Sequence, residues 1–229
     1  MNQIVTTGIV LKRLNFGEAD RIITLITPDH GKLRLMAKGV RKVKSKLAGG
    51  IELFSVTAIT YIPGKRDIGT LVSSRLVTHY GDIVTDIKRT MFGYELLKLV
   101  DKSTQDECDR EFYELLLHSL SAVGNKSIPL EIIEAWFRIR LLRLLGHEPN
   151  FSSDTKGKKL ETGQQYIFDF DTMAFAIHEG GIYTDNHIKL LRLFLVQSPE
   201  KIMHIQNTDK IMDDLSSLTK AMLAQSMHS

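Results

Sequence analysis

The run Arg21-Ile22-Ile23-Thr24-Leu25-Ile26-Thr27, the break Pro28-Asp29-His30-Gly31 and the run Lys32-Leu33-Arg34-Leu35-Met36-Ala37 decide the fold of the first part of this chain. The first run is rich in β-branched residues, which suit a pleated, half-buried surface. The second alternates, and a strand sends successive side chains to opposite faces. Leu33, Leu35 and Ala37 are expected inward; Lys32, Arg34 and Met36 are expected outward. The break between the runs carries turn chemistry. Working outward, residues 4–14 form an imperfectly alternating run with Ile4, Val5, Thr6, Thr7, Ile9 and Val10. Residues 52–62 and 68–80 are two more runs, separated by Pro63-Gly64 and preceded by Gly49-Gly50. Asn15-Phe16-Gly17 separates the first two runs. Five short strands in so few residues predict a small closed or nearly closed barrel. The five-stranded oligonucleotide-binding (OB) fold is the natural candidate at this size, although an SH3-like barrel shares the strand count.

After Tyr80 the hydrophobic period changes to that of helices. Asp82 is a plausible N-cap for a helix to about residue 101, with Ile83, Ile87, Met91, Tyr94 and Leu97 on one face. Residues 107–123 form a second helix, with Phe112, Leu115, Leu116 and Leu120 inward. Residues 130–145 form a third, apolar nearly all round and therefore expected at the centre of its domain. Residues 185–197 and 209–225 are two more, with a short helix between them opened by Ser198-Pro199-Glu200. The stretch 151–181 is less regular and holds a hairpin, 166–170 and 174–178, turning at Asp171-Thr172-Met173. The expected architecture is α+β and multidomain. An OB barrel over 1–80 precedes a mostly helical domain over 81–229, with an irregular segment at about 150–184.

The composition, 43% hydrophobic and 25% charged over 229 residues, is that of an ordinary globular protein. The single cysteine, Cys108, excludes an internal disulfide and any zinc site built on two or more cysteines. No run of 18 apolar residues suggests a membrane span, and the N-terminus does not read as a signal peptide. A cytoplasmic location is expected. The net charge of +3 hides a division. Residues 1–80 carry 13 Lys and Arg against five acids, a net +8, whereas the remainder carries 17 against 22, a net −5. Such asymmetry points to a polyanionic partner for the first part.

The strongest local feature is Lys38-Gly39-Val40-Arg41-Lys42-Val43-Lys44-Ser45-Lys46, five positive charges in nine residues with no acid. A cationic loop at the mouth of a barrel can follow a phosphate backbone. Lys32, Arg34 and Arg21 are expected to extend its surface. Aromatic residues are few in the first 80: Phe16, Phe54, Tyr61 and Tyr80. Phe54 reads as core; Tyr61 and Phe16 either stack bases or serve the core or an edge. Contact chemistry dominated by charge predicts weak sequence preference.

Signatures of nucleotide-binding loops, zinc proteases and serine hydrolases are missing. Gly17-Glu18-Ala19-Asp20-Arg21 reads as a turn held by local ion pairs. Asp169, Asp171, Glu179 and Asp185 are either solvated or a metal cluster, without calcium-loop spacing. Acids flank Cys108 and disfavour its thiolate. On the third helix, Glu131, Glu134 and Arg138 share one face. If that face is wet, Arg140 and Arg143 point to the interior or to a groove. They are either structural or an anion site beside Trp136 and Phe137.

Thr7-Gly8-Ile9-Val10-Leu11, Gly17-Glu18-Ala19-Asp20-Arg21, His30-Gly31-Lys32 and Ala37-Lys38-Gly39-Val40-Arg41-Lys42-Val43-Lys44-Ser45 follow one another in an order that resembles the N-terminal domain of the RecO family of bacterial recombination mediators. Asp67-Ile68-Gly69-Thr70-Leu71, Arg140-Leu141-Leu142 and Leu145-Gly146-His147-Glu148-Pro149 are also similar to that family. The resemblance implies an N-terminal OB fold and a helical C-terminal domain. It implies binding to single- and double-stranded DNA, annealing of complementary strands, and work with RecR and single-stranded-DNA-binding protein (SSB) to load RecA. Many members carry a four-cysteine zinc site after a G-Y-x-P segment. Here residues 151–183 hold no cysteine and His147 replaces the tyrosine, so zinc is not carried over. The expectation is a non-enzymatic, nucleoid-associated DNA-binding mediator without a cofactor. Its DNA contacts are expected at Arg21, Lys32, Arg34, Lys38, Arg41, Lys42, Lys44 and Lys46. The acidic SSB tail is expected at Arg140 and Arg143. The rivals are an RNA-binding barrel protein and a metal-dependent nuclease using Asp169 and Asp171.

Overall fold

The β-branched runs form five strands: β1 (Ile4–Phe16), β2 (Asp20–Ile26), β3 (Lys32–Ala37), β4 (Ser55–Ile62) and β5 (Ile68–His79). The computed structural model describes residues 2–64 and 67–227. Lys65 and Arg66, counted among the cations of the first part, lie outside the described residues. The strands close into a barrel in the order β1-β2-β3-β5-β4, with β1 returning to β4. Every pairing is antiparallel except β3 with β5. This is the five-stranded OB arrangement.

The inward set follows the alternation. Val10, Ile23, Leu25, Leu35, Ala37, Ile59, Tyr61 and Leu71 make the barrel core, joined by Val40 and Ile51 from the β3–β4 connection. Each such side chain contributes roughly 1.5–3 kcal/mol when fully buried. Tyr61 is thus a core residue. Gly31 ends the β2–β3 turn at φ +58, and a Cβ there would collide with the carbonyl oxygen of Asp106. Only glycine allows both that backbone and that approach.

Helices follow: α1 (Ile87–Ser103), α2 (Arg110–Gly124) and α3 (Leu130–Leu144). The chain forms two compact units, Met1–Asn125 and Lys126–Ser229. In the first unit α1 and α2 pack with the barrel. Gly81–Thr85 is a single 3-10 turn, and the N-cap of α1 is Asp86, whose carboxylate accepts the Arg89 N–H at 2.9 Å. The expected cap, Asp82, sits one turn too early.

The expected inner face of α1 also changes. Ile87 and Met91 are 81% and 67% exposed, and Tyr94 is half exposed. The buried face is Arg89, Phe92, Gly93, Leu96, Leu97 and Val100. Gly93 explains the choice: a Cβ at that position would lie 2.9 Å from the Phe54 ring. The helix docks through its bare glycine, and Phe54, buried at φ 55, meets Tyr94 edge-on at 5.0 Å.

In the second unit α3 is buried nearly all round, as its composition predicts. Arg138, expected on the wet face, is buried and binds Glu134 at 3.0 Å. The unit continues with β6 (Asn150–Asp154), β7 (Tyr166–Asp169), β8 (Ala174–Ile177), α4 (Asp185–Val196), α5 (Pro199–Ile202) and α6 (Asp209–Ser226). The hairpin is β7–β8, with the Asp169 carboxylate accepting the N–H groups of Asp171 and Thr172 at its turn. Strand β6 adds parallel to β8, a pairing its polar sequence did not suggest. Among the described residues no helix is long and apolar enough to cross a membrane.

Candidate nucleic-acid interface

The connection leaving β3 is built as consecutive turns pinned at both ends. At its start Gly39, at φ +65, donates its N–H to the Asp20 carboxylate at 2.7 Å. The Arg41 N–H reaches the Ala19 carbonyl at 2.9 Å, and its guanidinium reaches the Gly17 carbonyl at 3.2 Å. Within the loop Lys42 N–H bonds to Gly39 O and Ser45 N–H to Lys42 O. At its far end the Ser74 hydroxyl of β5 donates to Leu47 O at 3.0 Å. Val40 drops into the core as an anchor. These bonds hold the turns of the loop, and its charged side chains are left outside. Lys38, Arg41, Lys42, Lys44 and Lys46 are all exposed, and Val43 between them is fully so. None of the five forms an ion pair among the described residues.

The other expected contact residues are treated differently. Arg21 is half-buried and donates to Asn15 Oδ1 at 2.9 Å, with no ion pair among the described residues. Lys32 is not a free outward cation. Its ammonium donates to the carbonyls of Asp101 at 2.8 Å and Thr104 at 2.6 Å, and its side chain is only 11% exposed. Those carbonyls end α1, where a helix leaves acceptors unsatisfied and favours a cation. Arg34 is exposed but faces Asp106 at 3.1 Å. The loop anchors Asp20 and Gly17 were not recognised as such. Asp20 lies in a stretch read as local ion pairing, and its carboxylate instead serves an amide 19 residues away.

On α3 the guanidinium of Arg140 donates to Phe194 O at 2.9 Å and Gln197 O at 3.4 Å, closing the end of α4. Trp136 stacks beneath it at 5.6 Å and itself donates to Gln197 O at 2.8 Å. Burial, then the neighbouring Arg143, lowers the Arg140 pKa, while Glu148 opposes them. Arg143 is half-exposed and binds Glu148 at 3.2 Å.

Burial pushes the Cys108 thiol up, with Lys32 pulling the other way and Asp109 and Asp106 adding to the rise. Among the described residues no group of three His, Cys, Asp or Glu side chains could hold a metal. Asp169 is engaged in its turn and Asp185 binds Lys189 at 2.6 Å. Residues 151–183, which hold no cysteine, do not fit a cysteine-built zinc site. The centre of this segment is the buried ring of Phe175, packed by Phe151, Tyr166, Phe168 and Tyr183. The Tyr166 hydroxyl clips the chain by accepting Glu161 N–H and donating to Glu161 O.

A five-stranded OB barrel with an unpaired cationic loop, followed by helices, defines a class of small nucleic-acid-binding barrel proteins. The family model described as recombination protein O, N terminal, matches residues 1–80, and the C-terminal model matches residues 84–228. The chain belongs to the RecO family. It is similar to the DNA repair protein RecO of Acetivibrio thermocellus, 31% identical over 220 residues, covering 89% of this chain and 87% of the relative. The DNA repair protein RecO of an Exiguobacterium species is 27% identical over 206 residues, covering 90% and 78%. That of Dehalococcoides mccartyi is 32% identical over 145 residues, covering 63% and 56%.

Proposed function

We propose that this chain is a non-enzymatic DNA-binding mediator of recombinational repair. It anneals complementary single strands and, with RecR, helps load RecA onto SSB-coated DNA in the cytoplasm. The observation that carries the reading is the pinned loop, whose five exposed cations have no ion pair among the described residues. Each phosphate neutralised by such a cation releases condensed counterions, which drives binding without reading sequence. Two strands held on one cationic surface repel each other less, and base pairing then supplies the free energy of annealing. No catalytic residue is required. Of the two α3 arginines assigned to the acidic SSB tail, Arg140 closes α4, so the tail carboxylate falls to the half-exposed Arg143, where it must compete with Glu148.

The test is annealing of complementary oligonucleotides, bare and SSB-coated, in DNA and in RNA. Acceleration of DNA annealing in both forms is expected. No acceleration on DNA would overturn the reading, and acceleration confined to RNA would replace it with RNA binding.

A further inference from the structure

The outer face of β1, β2 and β3 carries a second chemistry beside the loop. Past the bulge between Val10 and Lys12, Lys12, Leu14 and Phe16 follow at period two and share one face. Their cross-strand partners continue that face in rows. Lys12 pairs with Thr24, and Thr24 with Arg34; Leu14 pairs with Ile22, and Ile22 with Met36. Phe16 stands at the hairpin tip, immediately before Gly17, whose carbonyl holds Arg41. Leu14 and Phe16 are 53% and 52% exposed, and Ile22 and Met36 are partly so. Phe16 has no ring partner among the described residues. An apolar row ending in an open aromatic ring therefore lies between cations: Lys12 and Arg34 on one side, the loop on the other.

We propose that this face is a platform for unpaired bases. Phe16 stacks on one base, Leu14, Ile22 and Met36 bear its neighbour, and the loop cations hold the phosphates of the same strand. The chemistry selects the occupant. A ligand for this surface must be polyanionic and must also offer flat apolar faces, and single-stranded DNA has both. A duplex keeps its base faces inside its own stack and can use only the cations. The inference rests on the DNA-binding reading above and adds to it a preference for single strands.

The experiment uses the full chain carrying Phe16→Ala, Phe16→Leu or Phe16→Tyr. The probes are a mixed-sequence single strand, an abasic strand of equal length, and a duplex. Phe16→Ala should weaken binding of the single strand about tenfold, within the range for losing one stacked base. Binding to the abasic strand and the duplex should not change, nor should the salt slope. Phe16→Tyr should bind like the wild type. Phe16→Leu, which keeps apolar bulk without a π face, should follow Phe16→Ala and serves in its place if the alanine variant melts early. Wild-type affinity of both Phe16→Ala and Phe16→Leu for the single strand would overturn the platform, as would equal losses on all three probes. A wild type that binds abasic and ordinary strands alike would also overturn it. The underlying reading fails separately: replacing Lys38, Arg41, Lys42 and Lys44 by Ala would then leave all three probes bound.

Discussion

The β3–β4 loop and the α3 arginines are both cationic stretches without an acid between them, yet the fold treats them in opposite ways. In the loop, backbone amides and the Asp20 carboxylate hold the turns, and the charged heads remain exposed, although the Arg41 guanidinium also reaches back to the Gly17 carbonyl. On α3, the Arg140 guanidinium is itself the donor that completes another helix end. A cation stays available to a partner where it remains exposed and is not the buried donor that completes an element's end. Lys32 and Lys38 repeat the contrast within the barrel: one strand separates them, and only Lys32 meets the carbonyls that end α1.

The sharpest attempt to break this contrast is the loop variant Lys38→Ala, Arg41→Ala, Lys42→Ala and Lys44→Ala. Four lost phosphate contacts lower the slope of log K against log salt by up to about 2.8, which near 0.1 M salt is about two to three orders of magnitude in affinity for single-stranded DNA. Annealing should fall with binding. The melting temperature should hold, because these side chains are exposed. An unchanged slope in the folded variant removes the loop from the interface.

Lys32→Met asks whether a cation of the same barrel is structural. Removing a nearly buried donor to two carbonyls should destabilise the chain by about 2 kcal/mol, the scale of a lost charged hydrogen bond. The DNA salt slope should stay as in the wild type. Denaturant titration beside binding at several salt concentrations checks both parts, and a slope lowered by about 0.7 would return Lys32 to the DNA surface.

Arg140→Ala and Arg143→Ala divide α3 in the same way. Arg140→Ala leaves Phe194 O and Gln197 O without their guanidinium donor and should lower stability by roughly 1.5–3 kcal/mol. Arg143→Ala removes one half-exposed ion pair and should lower it by less than about 1 kcal/mol. Equal losses would mean that Arg140 is no more structural than Arg143. Calorimetric titration with an acidic tail peptide then asks whether Arg143 alone carries that contact.

Much of this was legible in the residues themselves. β-branched runs, alternation and glycine-bearing turns located all five barrel strands, and the charge of the loop was plain. What could not be read were distant partners. Nothing near Lys32 announces that Asp101 O and Thr104 O will cover it, and nothing near Asp20 announces Gly39. The face of α1 was misread for a related reason. Its apolar residues occupy two stripes, and the choice between them belongs to Gly93 against Phe54, a contact across 39 positions. Strand β6, Asn-Phe-Ser-Ser-Asp, has one buried ring and no β-branched residue, so its pairing with β8 depends on Phe175 and not on its own propensity.

Arg34 falls between the two kinds of cation, and it permits the finest test. Its side chain is exposed like those of the loop, yet it faces the Asp106 carboxylate at 3.1 Å. An exposed pair of this kind is weak and screened by salt, so the carboxylate dilutes the cation without removing it. Asp106→Asn keeps an acceptor for the guanidinium and removes only the negative charge. The backbone carbonyl of Asp106, which receives the Lys32 N–H, is untouched by the change. Affinity for single-stranded DNA should therefore rise, by about two- to threefold at low salt, if Arg34 gains up to one phosphate contact. The gain should fade as the screening length shrinks below about 10 Å near 0.1 M salt. Melting should barely move. If Asp106→Asn binds as the wild type does at low salt, and Arg34→Ala does too, Arg34 lies off the DNA path and the interface ends at the loop.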